Sequence, residues 1–180
     1  VDCCLANGVT PWMTLYHWEL PQALEEKDGW QNSETAAAFS RFAAMMAAHF
    51  EGRVSHFITL NEPQIVLKLG YADGIHAPGK RLSLPELVSC WKNLMLAHGL
   101  SFRAIRKAAP EALIGIASTG KLCYPHSPAD EDAARQETFR LTDSDWMFTH
   151  AIVLDAVCLG RAEPEAGALR KLLSEVTPED

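Results

Sequence analysis

Apolar residues gather along the 180-residue chain in two kinds of run, short unbroken ones and longer ones spaced at three and four. Val9-Thr10-Pro11-Trp12-Met13-Thr14-Leu15-Tyr16 is β-branched, apolar and aromatic, and is bounded by Gly8 and by His17-Trp18-Glu19. It predicts a buried strand. Pro11 has no N–H to give a ladder, so it belongs near the strand's start or at an edge. Glu34 to Phe50 then places Phe39, Phe42, Ala43, Met46 and Phe50 on one face of a helix, with Asn32 or Ser33 to cap it and Gly52 to end it. Val54 to Leu60 predicts a second strand, stopped by Asn61-Glu62-Pro63. A long helix from about Pro85 to Ala109 follows, opened by a Ser83–Glu86 capping box and expected to bury Leu87, Trp91, Leu94, Met95, Phe102 and Ile105. Leu113 to Ala117 is a third strand, and Ser127-Pro128-Ala129-Asp130 opens another helix. Further helices are expected over Trp146–Leu159 and Glu165–Val176.

Strands and helices therefore alternate, and the strands are too apolar to face water. A parallel α/β architecture follows, about three βα units with strands near 9–16, 54–60 and 113–118, in one domain over 1–180. No repeat or low-complexity tract interrupts it.

Composition mainly excludes. With 23 acidic against 16 basic side chains, a net charge of −7 and a pI near 5.5, neither nucleic acid nor an anionic membrane surface is an expected partner. The longest apolar run, Ala151 to Leu159, is broken by Asp155 and falls short of the ~20 residues of a membrane span. The five cysteines, Cys3, Cys4, Cys90, Cys123 and Cys158, lack C-x-x-C spacing and read as reduced, mostly buried thiols. With no secretory leader visible, a cytoplasmic location is expected. Val1 to Asn7, closed by Gly8, reads as the last turn of a helix, and the expectation is a piece of a longer polypeptide.

Glu62 is the strongest candidate for chemistry. It sits at the carboxyl end of a parallel strand, where α/β folds place ligands, and Pro63 is expected to hold it extended. A carboxyl group sheltered there can have its pKa raised by desolvation and act as a general acid, while Asn61 supplies an amide for a hydroxyl. The alternative is a polar strand exit followed by a turn. His17 and Trp18, at the end of the first strand, combine a hydrogen-bonding ring with a flat indole face, a mixture that suits sugars. The alternative there is a core indole and a satisfied histidine. His17, His56, His76 and His98 lack metal-ligand spacing, so no metal is expected. Nor is a cofactor, because no Gly-rich phosphate or dinucleotide loop is present. Ser118-Thr119-Gly120-Lys121 is explained as a polar strand terminus, and Asp130-Glu131-Asp132 as a solvated helical turn. Trp12, Trp91 and Trp146 read as packing residues.

Together these residues resemble glycoside hydrolase family 1, the β-glucosidases and 6-phospho-β-glucosidases. The likeness rests on Thr14-Leu15-Tyr16-His17-Trp18-Glu19-Leu20-Pro21, Gly29-Trp30, Ile58-Thr59-Leu60-Asn61-Glu62-Pro63, Gly70-Tyr71, Gly74-Ile75-His76-Ala77-Pro78-Gly79 and Leu96-Ala97-His98-Gly99. It implies a (β/α)₈ barrel that hydrolyses β-glucosides with retention, one carboxylate serving as acid/base and a second as nucleophile about 5–5.5 Å away. Glu62 matches the acid/base. His17, Trp18 and Asn61 match positions that hold the nonreducing sugar, Asn61 at its 2-hydroxyl. The nucleophile's T-E-N-G-type motif has no match here, nor do the early strands with their sugar-binding Gln, nor the late aglycone and phosphate determinants. Thr119 stands where the family generally carries Asn.

A (β/α)₈ barrel takes about 250 residues and at least about 200, so 180 residues are expected to leave it open. Exposed sheet edges then require association, with further copies of the chain or with the missing barrel segments. The implied function is the acid/base part of a β-glucosidase, inactive alone, acting on a β-glucoside or 6-phospho-β-glucoside. The alternatives are a non-catalytic sugar-binding module and a self-assembling α/β module.

Overall fold

The computed structural model describes residues 1–175. Its first elements are α1 (Asp2–Ala6), β1 (Trp12–Tyr16), α2 (Gln22–Glu25), α3 (Ser33–His49), β2 (His56–Asn61) and α4 (Pro63–Ile65), the last continued by a π-helical stretch, Val66–Ala72. Then come α5 (Leu84–Ala108), β3 (Leu113–Ala117), α6 (Glu131–Phe139), α7 (Ala151–Leu159) and α8 (Gly167–Ser174). The strands form one parallel sheet in the order β1-β2-β3, with Trp12 opposite His56 and His56 opposite Leu113. No described helix is long and apolar enough to cross a membrane. The chain divides into two compact units, 1–62 with 93–117, and 63–92 with 118–180, so that α5 changes unit after Lys92. Val176, the last residue of the helix expected from Glu165, lies outside the described residues.

The first unit holds the sheet. Ala43, Ala47, Val54, Phe57, Ile105, Ala109 and Ala112 form its core, with Met13, Leu15 and Ile114 packed against them. Asn32 caps α3, its side-chain oxygen accepting from the Glu34 N–H at 2.9 Å, and Gly52 turns the chain at φ +73° beyond the helix end. Within α3 an alanine stripe, Ala36, Ala43 and Ala47, is buried together with Phe39, while Phe42, expected on the core face, stays 38% exposed. On α5, Met95 is only half-buried and Phe102 is exposed, because Ala97, His98 and Ser101 occupy the inner stripe.

Strand β1 starts after Pro11, so Val9, Thr10 and Pro11, expected in the strand, lie outside it. Alternate residues of the outer strands, Trp12 and Thr14 on β1 and Leu113 and Gly115 on β3, remain exposed, so one face of the sheet is bare. Trp12 is therefore no packing residue. It is 65% exposed and stacks on its register partner His56, ring centroids 4.4 Å apart. Trp91 and Trp146 are buried, as expected.

Two buried polar groups on α5 carry predictions. Burial holds the His98 imidazole below its ordinary value of 6.5. Its contribution to stability is complete above pH 6.5 and is lost as pH falls through the lowered folded-state value, so the unfolding midpoint should drop in that window. A His98→Gln variant should show a flatter profile in the same titration. The Ser101 hydroxyl is buried and has no hydrogen-bond partner among the described residues. Ser101→Ala removes an orphaned donor and raises helix propensity, so chemical denaturation should find it neutral or up to about 1 kcal/mol more stable.

In the second unit, the loop after the π-helical stretch folds back on it. The Leu69 carbonyl accepts from the N–H groups of Ile75 and His76, and the carbonyls of Gly70 and Tyr71 accept from those of Lys80 and Leu82. A Cβ at Gly70 would lie 2.8 Å from the Ala77 carbonyl oxygen, a backbone atom that cannot swing away. Gly70→Ala is expected to cost about 1–3 kcal/mol, read from the urea midpoint. The Glu86 carboxylate accepts from the Ser83 N–H at 2.8 Å, supplying the returning half of the expected box. Both halves form at Ser127 and Asp130. Helix α7 begins only at Ala151, because a Thr142–Asp145 turn precedes it and Trp146 is spent in the core. Helix α8 begins at Gly167, not Glu165. There the Asp143 carboxylate accepts from the N–H groups of Ala168 and Leu169 at 3.0 and 2.8 Å, and these bonds hold its pKa below 3.8.

Candidate functional site

Strands β1 and β2 are parallel neighbours, so their carboxyl ends open at one rim. His17 and Trp18 follow β1, Asn61 ends β2 and Glu62 comes next, all within the first unit. His17 is exposed, whereas Trp18, Asn61 and Glu62 are half-buried.

The backbone is strained here. Among the described residues, three non-glycines have positive φ, and two of them are Trp18 at +81° and Glu62 at +47°. Such conformations cost on the order of 1–3 kcal/mol each and persist where the surroundings over-determine them. The Glu62 N–H donates to the Ala117 carbonyl of β3 at 2.8 Å, and the chain enters α4 at the very next residue. That reversal within one residue overrides the extended geometry expected before Pro63. Trp18 is held differently. Its indole Nε1 donates to the Asn61 carbonyl at 3.0 Å, tying the two strand ends together, and its ring meets His17 edge-on at 5.0 Å.

Beneath the rim, β2 is bulged. From the pair Ile58–Gly115 to the pair Asn61–Ala117, β2 advances three residues while β3 advances two, leaving one extra residue on β2. Thr59 and Leu60 are consequently buried side by side, where a regular strand would alternate. The Thr59 hydroxyl donates to the Gly115 carbonyl at 3.2 Å and lies 2.7 Å from His98 Nδ1. Under the end of β1, the buried Tyr16 hydroxyl accepts from Trp30 Nε1 at 3.0 Å, and the Trp30 carbonyl accepts from the Asn93 side chain at 2.8 Å. Burial pushes the Tyr16 phenol up to about 12, so it stays neutral.

The rim residues stand out in the sequence, whereas the groups beneath them do not. Thr59 and His98 stand in quoted motifs, but their pairing depends on packing between α5 and β2. Within the second unit, Gln64 is fully buried. Its amide donates to Ser118 Oγ at 2.7 Å and to the Thr149 carbonyl at 3.2 Å. A lone amide inside the apolar run Pro63 to Leu67 was the available signal. Among the described residues, no three His, Cys, Asp or Glu side chains gather as a metal site would require.

The arrangement offers a half-buried carboxyl group on a fixed backbone, on the same rim as an exposed imidazole and a half-buried indole. Such a rim can exchange a proton with a ligand oxygen while pairing hydroxyls and packing on C–H groups.

Comparison with known proteins gives a consistent result. The model of Glycosyl hydrolase family 1 matches residues 1–169. Beta-glucosidase A of Thermotoga maritima is 37% identical over 132 residues, covering 73% of this chain and 29% of the relative. Beta-glucosidase 25 of Oryza sativa subsp. japonica is 37% identical over 198 aligned residues, covering 99% of this chain and 37% of its own length. Among solved structures, the family 1 β-glucosidase from Thermotoga maritima superposes with a TM-score of 0.77 at 30% identity, covering 99% of this chain and 37% of that one. The chain spans about a third of the length of the curated relatives it matches. The three-stranded sheet is an open part of a (β/α)₈ barrel.

Proposed function

Because the chain belongs to glycosyl hydrolase family 1, we propose that it carries one half of a retaining β-glucosidase site, with Glu62 as general acid/base and His17, Trp18 and Asn61 holding the sugar. The observation that carries this reading is Glu62 itself, held at a positive φ by the Ala117 carbonyl at the carboxyl rim of the sheet. A strained backbone at a strand end is a means of fixing a reacting side chain. In the first half-reaction the Glu62 carboxylic acid gives its proton to the glycosidic oxygen as the aglycone leaves. In the second, the resulting carboxylate takes a proton from water as the water attacks the glycosyl intermediate. Asn61 is directed at the 2-hydroxyl, and Trp18 offers its ring to the sugar's C–H face.

The nucleophile lies outside these 180 residues, since none of them stands in a T-E-N-G-type motif. The bare sheet face and the one-sided pairing of β1 and β3 support the same reading, in which the chain works in association with the remaining barrel segments. The names of its relatives favour a β-glucoside as substrate. All five cysteines are free thiols, and only Cys90 is buried where most were expected to be; their free state suits a reducing compartment, hence the cytoplasm.

Complementation tests this directly. The purified chain should leave an aryl β-glucoside intact and should hydrolyse it when mixed with a polypeptide carrying the other barrel strands. Turnover by the chain alone, surviving mutation of Glu62, would refute the proposal.

A further inference from the structure

The site's fixed geometry has a support that lies behind the sheet. From the contacts of Thr59, the structure assigns His98 of α5 as a positioning residue for Asn61 and Glu62, acting through the Thr59 hydroxyl in the β2 bulge. This rests on the reading of Glu62 as the reacting carboxyl group.

The extra residue of β2 falls between the pairs Ile58–Gly115 and Asn61–Ala117, immediately before the rim. A bulge disrupts the ladder and re-aims the residues that follow it, so something must hold it in one register. Thr59 sits inside it, fully buried. Its single hydroxyl hydrogen goes to the Gly115 carbonyl, which can only accept. With that hydrogen on the carbonyl, His98 Nδ1, 2.7 Å from the same oxygen, is the donor, and the proposal therefore requires the Nδ1–H tautomer. The result is a buried chain from imidazole to hydroxyl to the β3 carbonyl, two residues before Asn61. Without it, the bulge can relax or slip, and a slip of one residue would exchange the sides of Asn61 and Glu62. The Glu62 bond to Ala117 and the Trp18 bond to the Asn61 carbonyl both assume the bulged register.

Hydrogen exchange of the isotopically labelled chain, followed by NMR, tests the assignment without any hydrolysis assay. In Thr59→Val, which keeps the shape and loses the hydroxyl, and in His98→Leu, the Glu62 amide and the Trp18 indole N–H should exchange at least about tenfold faster, the scale set by about 1.4 kcal/mol of lost local stability. Amides of α3 and of β2 before the bulge should keep their rates. Thr59→Ser and His98→Gln, which retain a hydroxyl and a donor, should restore slow exchange. Unchanged Glu62 and Trp18 rates in folded variants, or an equal acceleration of every amide, would overturn the assignment. Should Thr59→Val or His98→Leu fail to fold, the imidazole nitrogen shifts of the unmutated chain decide, because a neutral Nε2–H tautomer is incompatible with the bond proposed. Loss of hydrolysis by Glu62 variants bears on the reading of Glu62 and leaves these rates untouched, so the two claims fail separately.

Discussion

Replacing Glu62 by Gln should lower turnover of an unactivated β-glucoside by the complemented protein about 10²–10⁴-fold, the usual contribution of a positioned general acid or base. The isosteric amide keeps the volume and can still face the Ala117 carbonyl through its backbone, so the fold should be unaffected. Leaving-group dependence separates a chemical role from a structural one. A dinitrophenolate departs without needing a proton, so Glu62→Ala should still form the glycosyl intermediate from a dinitrophenyl glucoside and then stall, because water finds no base. Azide is already an anion and needs none. Added azide should restore turnover of that variant and yield a β-glucosyl azide, with the bond from the intermediate's carboxylate to the anomeric carbon broken as the azide bond forms. A Glu62→Ala protein insensitive to azide, or one as slow with activated as with unactivated substrates, would assign Glu62 a merely structural place.

Trp30→Ala should be the most damaging substitution for stability. The indole is fully buried between Tyr16 and Phe39, 5.3 and 6.3 Å from their rings, and its N–H donates to Tyr16 Oη. Truncation leaves a cavity and strips the phenol of that donor, for a cost of about 3–5 kcal/mol. Set against a total of about 5–15 kcal/mol for an ordinary domain, that loss should bring the chain near its unfolding midpoint at room temperature. Because Tyr16 is the last residue of β1, protection of the His17 and Trp18 amides should vanish with it. Trp30→Phe keeps a ring and loses only the donor, so about 1–3 kcal/mol is expected. Urea denaturation of the three proteins measures both differences, and equal midpoints for Trp30→Ala and the parent chain would exclude this role.

The fold was legible where local signals agree. Leu113 to Ala117 is an unbroken apolar run ending in polar residues, and β3 occupies those residues. Helices α3 and α5 lie within about one residue of their predicted ends, because caps and turn-formers mark them. Periodicity identified the inner stripe of each helix but misjudged its flank, placing Phe42 and Phe102 inside where the core takes alanines and small polar residues. Trp12 was misread for another reason: apolarity predicts burial only when a layer covers the strand, and its side of the sheet is bare.

The candidate site was legible as a position and not as a conformation. Strand-end logic selected Glu62, Asn61, His17 and Trp18. The positive φ of Glu62 was hidden, because Pro63 argues locally for extended backbone and the opposing bond comes from Ala117, far along the chain. The bulge at Thr59 was hidden likewise, since register is a property of two strands.

Covalent trapping tests the central claim most directly. A dinitrophenyl glucoside fluorinated beside the anomeric carbon forms the glycosyl intermediate and turns it over very slowly, so the label stays on whichever polypeptide supplies the nucleophile. After incubation with the complemented protein, intact-mass measurement should find the sugar on the complementing polypeptide and none on the 180-residue chain. A fluoroglucosyl adduct on the 180-residue chain itself would contradict the assignment of Glu62 as acid/base with the nucleophile supplied from elsewhere.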